Sequence, residues 1–514
     1  MQYLSTRGYK EKLSSAGAIE KGIAQDGGLF VPENIPKFNI EELKGLVFSS
    51  YEDKAVAVLK KYLTDYTEEE LREAAKEAYK KDDLANNIVG FSSAEPAPLV
   101  KINSQKALLK DMHILELFHG PTSAFKDMAL QILPHILTKA LKKTGEKSDV
   151  VILVATSGDT GKAALEGFKD VDRIKIIVFY PEEGVSDIQK LQMLTQAGNN
   201  VDVIAVKGNF DDAQNGVKEI FTSEEFSKEL YAKGYKLSSA NSINWGRLVP
   251  QIVYYFSAYL DLVKNKEIEL GDKVNFSVPT GNFGNILALY YAKSMGLPVG
   301  KLICASNKNN ILTDFLETGV YDRNRHFYKT YSPSMDILIS SNLERLLYQI
   351  VNEDTDKVAE LMESLKTNGK YELESKYLDL IKKDFFPSWA DDEKTLKIIE
   401  EEFGDSKYPL DPHTAVAFNA AKEYRRETAD FAPLVVVSTA SPYKFSDTVL
   451  KALDKNKYEL LKETLEFAIL KALFEKIQMP VPFVLGELEH QNVIHKKVCN
   501  KEEMKDFVLK SVDK

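Results

Sequence analysis

The chain has 514 residues and a formal net charge of -10, with 44% hydrophobic and 28% charged residues. That length suits about three domains, and the acidic balance excludes nucleic acid or an anionic membrane surface as the main partner, since both select Lys/Arg-rich faces. Two cysteines, Cys304 and Cys499, offer neither metal spacing nor a disulfide framework, which fits a reducing, cytoplasmic setting.

No apolar run reaches the ~18 residues of a membrane span, and "MQYLSTRGYKEKLSSAG" lacks the apolar core of a secretory signal. Residues 1–98 read as a small N-terminal domain. Within it, "AQDGGLFVPENIPKF" is turns with a short strand. "YTEEELREAAKEAYKK" is a solvated helix that opens at Thr67, with Glu70 completing a capping box.

Residues 99–454 read as the catalytic core, in two lobes around a cleft. "SAFKDMALQILPHILTKAL" is a helix capped by Thr122 or Ser123. Short apolar runs then alternate with helical stretches: "DVVILVAT", "RIKIIVFYP", "VDVIAVKG", "YKLSSA", "KVNFSVPT" and "KLICAS" as strands, with "NWGRLVPQIVYYFSAYLDLVK" as one long helix among those between them. Such alternation implies βαβ units, an α/β fold and parallel sheets covered on both faces. "SPSMDILISSNLERLLYQI" reads as helical, and "PLVVVSTASPYKFSDTVLKAL" returns to strand, loop and helix. Residues 455–514 read as a charged helical segment packing on the core.

Ligands of parallel sheets bind at the carboxyl ends of strands, and three loops there stand out. "ATSGDTGKAAL" lacks the spacing and the Ser/Thr of a nucleotide P-loop. What remains is hydroxyls and N–H groups at a helix start, suited to a carboxylate or phosphate; the plainer reading is an N-cap worth roughly 1 kcal/mol. In "VPTGNFGNILA", Gly281 and Gly284 allow close backbone approach to a phosphate seated on the helix that follows, although an ordinary tight turn reads the same. In "VVVSTASPYKF", a buried strand ends in hydroxyls that satisfy backbone or face a ligand, the former being the commoner case for a single site. Lys126 falls in the first turn of its helix, where the helix N-terminus and burial both lower an amine pKa. A neutral amine attacks an aldehyde, and with a phosphate cradle this suggests pyridoxal phosphate. Taken alone, a lysine that snorkels to solvent is the commoner outcome.

"ELFHGPTSAFKD", "ATSGDTGKAA", "NSINWGRL", "PTGNFGN", "SPSMDILISSNLERL", "LDPHTAVA" and "STASPYKF", with "STRG" and "DGGLFVPE" ahead of them, run in the order of the threonine synthase family. The chain resembles its long enterobacterial and yeast form, a pyridoxal-phosphate enzyme of fold type II, from the N-terminus to at least Leu450. The resemblance implies the conversion of O-phospho-L-homoserine and water to L-threonine and phosphate. It implies that Lys126 holds pyridoxal phosphate and serves as the acid–base group, and that Gly281, Asn282, Phe283, Gly284 and Asn285 cradle its phosphate. Asp159 matches the group beside the ring hydroxyl, and Thr439 the hydroxyl that bonds the ring nitrogen. Ser157 and Thr160 match groups near the substrate. Asn241, Ser242 and Arg247 match contacts to the substrate phosphate, a role that suits a two-point guanidinium donor.

Two departures stand out: Leu338-Ile339 before Ser340-Ser341, and Ser441 where the family commonly has His. His413 is a family-type residue, either structural or involved in domain closure. The expected protein is a cytoplasmic monomer or homodimer with a small-molecule substrate and no nucleic-acid or membrane partner. The alternatives are a pyridoxal-phosphate lyase on O-phosphohomoserine or a related phospho-amino acid, giving 2-oxobutyrate from the former, and a cofactor-binding protein without turnover, against which intact Lys126 and Arg247 argue.

Overall fold

The computed structural model describes residues 1–83, 85, 89–156, 158–182, 185–464 and 466–513. Two parallel sheets organise it. The larger has six strands in the order Phe385–Trp389, Val299–Ser306, Val274–Pro279, Leu434–Ser438, Met112–Glu116 and Leu99–Lys101. All its pairings are parallel except the last, where Leu99–Lys101 runs antiparallel on an edge. The smaller has five strands, all parallel, in the order Lys497–Cys499, Val201–Val206, Ile174–Pro181, Asp149–Ala155 and Tyr235–Ser238. In sequence, residues 149–238 of the smaller sheet lie between two strands of the larger one.

The physical cause is the composition of the runs. Every residue of Val274–Pro279, Val201–Val206 and Leu434–Ser438 is buried. A strand buried on both faces needs helices on both faces, and each fully buried Val, Leu or Ile contributes roughly 1.5–3 kcal/mol.

Several expected elements differ. The long helix is two, Trp245–Leu248 and Pro250–Lys264, because Pro250 opens a new first turn. "SPSMDILISSNLERL" is helical only at Pro333–Met335 (a 3-10 turn) and from Leu343 onward. Between them Asp336 gathers donors: the Thr330 N–H and hydroxyl at 3.0 and 2.8 Å, and the Asn307 and Asn309 amides at 2.8 and 2.9 Å. Those bonds hold a loop where the apolar spacing suggested a helix. The segment 455–514 is not helical throughout, since Lys497–Cys499 is the edge strand of the smaller sheet. The Thr67–Glu70 capping box is present as expected.

Two of the N-terminal motifs serve the fold. Arg7 of "STRG" forms a two-point contact with Glu344, Nε to Oε1 at 2.9 Å and Nη2 to Oε2 at 2.8 Å. The next residue, the buried Arg345, donates to the Phe30 carbonyl of "DGGLFVPE" at 3.0 Å. The N-terminal region is thereby tied to the start of the helix at Leu343, beside the candidate site.

Candidate active site

Lys126 is buried, at 9% exposure. It sits where a loop turns into Asp127–Leu130, a helix of a single turn, with the main helix following at Leu133–Thr144. This corrects the expected long helix capped by Thr122 or Ser123. Thr122 is instead bonded by Asp127, whose carboxylate accepts its N–H and hydroxyl at 2.8 and 2.7 Å. Backbone bonds join this loop to the end of the Leu434–Ser438 strand: Phe125 N–H to the Thr439 carbonyl, 2.8 Å, and Ser441 N–H to the Ser123 carbonyl, 3.1 Å. These bonds form an isolated antiparallel bridge at Ala124 and Ala440, which brings together the segments that carry Lys126 and Thr439, over 300 residues apart in sequence.

The Lys126 amine is pushed down from 10.5 to about 8. Burial is the main cause; the Arg247 and Lys444 cations add to it, while the Asp159 and Asp127 carboxylates oppose it. A one-turn helix supplies little dipole, so of the two causes expected, burial is the one that lowers the amine. Burial also raises Asp127 to about 6, against the bonds from Thr122. Burial would raise Asp159 as well, but the Lys444 and Lys126 ammoniums, with bonds from Lys444 and Gln189, hold it well below the usual carboxylate range.

Asp159 opens the Asp159–Phe168 helix. The preceding loop is held by Thr156, whose hydroxyl accepts the Gly158 and Gly161 N–H groups at 3.0 and 3.1 Å. A Cβ at Gly158 would lie 2.7 Å from the Gln189 amide and displace it from Asp159, to which it donates at 2.8 Å. Thr160 follows on the first turn and is half-buried; Ser157 lies outside the described residues.

The loop Gly281–Asn285 leads into the helix Gly284–Ser294, which has no side-chain cap. The left-handed residue is Phe283, φ 63°, and neither glycine of the loop has a positive φ. Gly281 is required for a different reason: a Cβ would approach the Ser334 carbonyl to 2.7 Å. Asn285 accepts the Tyr254 and Tyr255 hydroxyls on Oδ1. Its Nδ2 is buried without a partner. An uncapped helix start beside an unpaired buried donor suits a phosphate, so these residues fit the phosphate of pyridoxal phosphate.

Arg247 is a second anion-seeking group. It is 6% exposed, donates to the Ala240 carbonyl at 2.8 Å, and among the described residues no carboxylate lies within ion-pair distance. Burial lowers it to about 10. One turn on, Gln251 donates to the Arg247 carbonyl and lies 3.7 Å from where a Gly284 Cβ would stand, so Arg247 and the Gly281–Asn285 loop are neighbours. Asn241 and Ser242 are half-buried on the loop before Arg247, with the Ser242 hydroxyl 3.5 Å from that of Ser341. Asn244 of the same motif is structural: it caps Trp245–Leu248 and donates to the Ile19 carbonyl at 3.0 Å.

Three residues that sequence reasoning did not select support this cleft. Asn342 donates to the Asn282 carbonyl twice, from backbone and side chain, at 3.1 Å each. Arg345 holds Asn342 and donates to the Ile243 carbonyl at 2.6 Å, which joins the Asn282 loop to the Asn241–Ser242 loop. Lys444 reaches Asp159 at 2.7 Å. The "SSNLERL" and "STASPYKF" motifs were the available signal, but neither names its partners. The departure at Ser340 falls on a contact, since its hydroxyl donates to the Gly281 carbonyl at 2.7 Å. Ser441 caps the turn that follows it.

His413 has both nitrogens engaged. Nε2 accepts the Ser334 N–H at 3.1 Å, so Nδ1 carries the proton and donates to Asp411 at 2.8 Å.

A parallel α/β frame, a buried lysine of lowered pKa and a phosphate seat at a helix start define the class: a pyridoxal-phosphate enzyme of fold type II. Residues 91–371 match the family model described as pyridoxal-phosphate dependent enzyme. Residues 2–79 match that of the threonine synthase N terminus, and residues 414–479 that of the threonine synthase C-terminal region. The chain belongs to the threonine synthase family. Threonine synthase of Pseudomonas aeruginosa is 42% identical over 88% of this chain and 90% of its own length. Threonine synthase-like 1 of Pongo abelii is 42% identical over 86% of this chain, and the chain covers only 59% of that relative. The crystal structure of pyridoxal-phosphate-bound threonine synthase from Brucella melitensis superposes with a TM-score of 0.85 at 36% identity, covering 100% of both chains. Threonine synthase from yeast gives a TM-score of 0.86 at 34% identity, covering 100% of this chain and 99% of its own.

Proposed function

We propose that this chain converts O-phospho-L-homoserine and water to L-threonine and phosphate with pyridoxal phosphate, as the last step of threonine biosynthesis in the cytoplasm, acting as a monomer or homodimer. The observation that carries the reading is the pairing of two anion-seeking places with one deprotonatable lysine. The uncapped helix at Gly284 with Asn285 Nδ2 suits the cofactor phosphate, and buried, uncompensated Arg247 suits the phosphate of the substrate.

In this reading Lys126 anchors the cofactor, and Gly281, Asn282, Phe283, Gly284 and Asn285 cradle its phosphate. Asp159, held anionic, accepts the ring hydroxyl, and Thr439 meets the ring nitrogen with a neutral hydroxyl. When bound, pyridoxal phosphate supplies the ring that absorbs negative charge from the substrate's α-carbon. Arg247, Asn241 and Ser242 hold the departing phosphate. Ser157 and Thr160 orient the amino-acid end. The Lys126 amine, neutral above about pH 8, takes the protons at Cα and Cβ and returns protons at Cγ and Cα. Water adds at Cβ after phosphate leaves Cγ. Neither His413 nitrogen is free to act as a base.

The test is incubation of the loaded enzyme with O-phospho-L-homoserine and identification of the products. Threonine and phosphate in equal amounts support the reading; 2-oxobutyrate with phosphate makes the protein a lyase on the same substrate.

A further inference from the structure

Lys444 is fully buried, at 0% exposure, and its ammonium makes two contacts. One is to Asp159 Oδ1 at 2.7 Å and the other to the Thr122 carbonyl at 2.8 Å. The side chain therefore joins three segments: the loop that carries Lys126, the helix that begins at Asp159, and the turn that follows Thr439. A buried lysine is costly to a fold unless its charge and donors are used. Here they are spent within the candidate site, on Asp159 and the Thr122 carbonyl.

The charges around Lys126 give the reason. Its charged neighbours are Asp159, Arg247, Lys444 and Asp127. Asp159 is the strongest of the two carboxylates acting on it, and a carboxylate left without another partner pairs with the nearest ammonium. An ion-paired Lys126 would stay protonated and could not attack an aldehyde. Asp159 is instead occupied on Oδ1 by Lys444 and by the Gln189 amide at 2.8 Å. We propose that Lys444 is a positioning residue for Lys126: it engages the Asp159 carboxylate so that this charge does not pair with the Lys126 amine, and it braces the Lys126 loop through the Thr122 carbonyl. Lys444 acts on Lys126 through Asp159 and the Thr122 carbonyl. The inference rests on Lys126 being the cofactor lysine.

Its test reads Lys126 directly. The full-length chain freed of cofactor is treated with an amine-acylating reagent across pH 6–11, and modification of the Lys126 peptide is followed by mass spectrometry. In the wild type, reactivity should be half-maximal near pH 8, where the amine loses its proton. Lys444→Met removes the charge and both contacts. Lys444→Gln removes the charge but keeps amide donors for both oxygens, and it carries the test if Lys444→Met does not fold. In Lys444→Met the freed Asp159 and the lost cation act in the same direction; in Lys444→Gln the lost cation leaves the Asp159 charge uncompensated, with the same sign of effect. The midpoint should rise by about one pH unit or more, so that reactivity at pH 7.5 falls roughly tenfold. Lys444→Arg should restore most of the shift, and Asp159→Asn combined with Lys444→Gln should return the midpoint to or below the wild-type value. A folded Lys444→Gln protein with an unchanged midpoint overturns the proposal, even if turnover is lost, because lost turnover alone is what a bracing role would give. A shifted midpoint in a chain that makes no threonine leaves this proposal standing and removes the reading of function instead.

Discussion

A methyl group at position 281 separates the packing of the Gly281–Asn285 loop from its binding role. In Gly281→Ala the new Cβ would stand 2.7 Å from the Ser334 carbonyl oxygen and 3.3 Å from the Met335 Cα. Backbone must therefore move by roughly 0.7 Å to reach an ordinary contact. Neither side yields readily. Ser334 is held by His413 at 3.1 Å, Met335 N–H bonds the Ser332 carbonyl at 2.9 Å, and the Gly281 carbonyl is held by Ser340 at 2.7 Å. Overpacking of this kind costs about 1–3 kcal/mol. At Gly284, by contrast, a Cβ meets only Asn342 and Gln251 amides at 3.5 and 3.7 Å, which are ordinary contacts. Gly284→Ala should leave the cofactor-free protein as stable as the wild type but weaken pyridoxal phosphate at least tenfold, about 1.4 kcal/mol. Gly281→Ala should lose both stability and affinity. The assay pairs denaturant unfolding of cofactor-free protein with an equilibrium cofactor titration followed by absorbance. The reasoning is refuted if Gly281→Ala matches the wild type in both, or if Gly284→Ala binds the cofactor normally.

Further outcomes follow from the same geometry. Lys126 is lowered from 10.5 to about 8, so its protonated form is disfavoured in the folded state; that penalty is full below about pH 8, fades as the pH rises from 8 to 10.5, and is gone above 10.5. Lys126→Met should accordingly stabilise the cofactor-free protein at pH 7 by roughly 3 kcal/mol, with the gain vanishing toward pH 10.5 in unfolding curves measured across that range. Arg247→Lys keeps the charge but loses two-point geometry, and steady-state kinetics should show KM for O-phospho-L-homoserine rising about tenfold or more. His413→Leu leaves the Ser334 N–H and Asp411 without their partner, which should cost about 1–3 kcal/mol in denaturant unfolding while leaving the shape of the pH–rate profile unchanged.

Much of the frame was legible because strands buried on both faces announce themselves as continuous apolar runs, as in Val274–Pro279 and Val201–Val206. Their division into two sheets was not, since a run of valines carries no mark of which neighbour it pairs with. The edge strand Lys497–Cys499 has three residues and no period to read. The loop around Asp336 looked helical because its hydrogen bonds come from Asn307, Asn309 and Thr330, which no local pattern ties to it. In the site, Lys126 stood out for its surroundings, and its lowered pKa was expected from burial and a helix N-terminus together, of which burial is the main cause. Lys444 and Arg345 stayed hidden for the same reason as Asp336: each is defined by partners far away in sequence. Phe283 shows the limit of reading glycines, because the left-handed residue of a glycine-rich turn is the phenylalanine between them.

The most direct test of the account is to load the protein with pyridoxal phosphate, reduce it with borohydride and map the modified peptide. The account predicts one pyridoxyl group per chain, on Lys126, and none in Lys126→Ala. Modification of a different lysine, or of none, would contradict it.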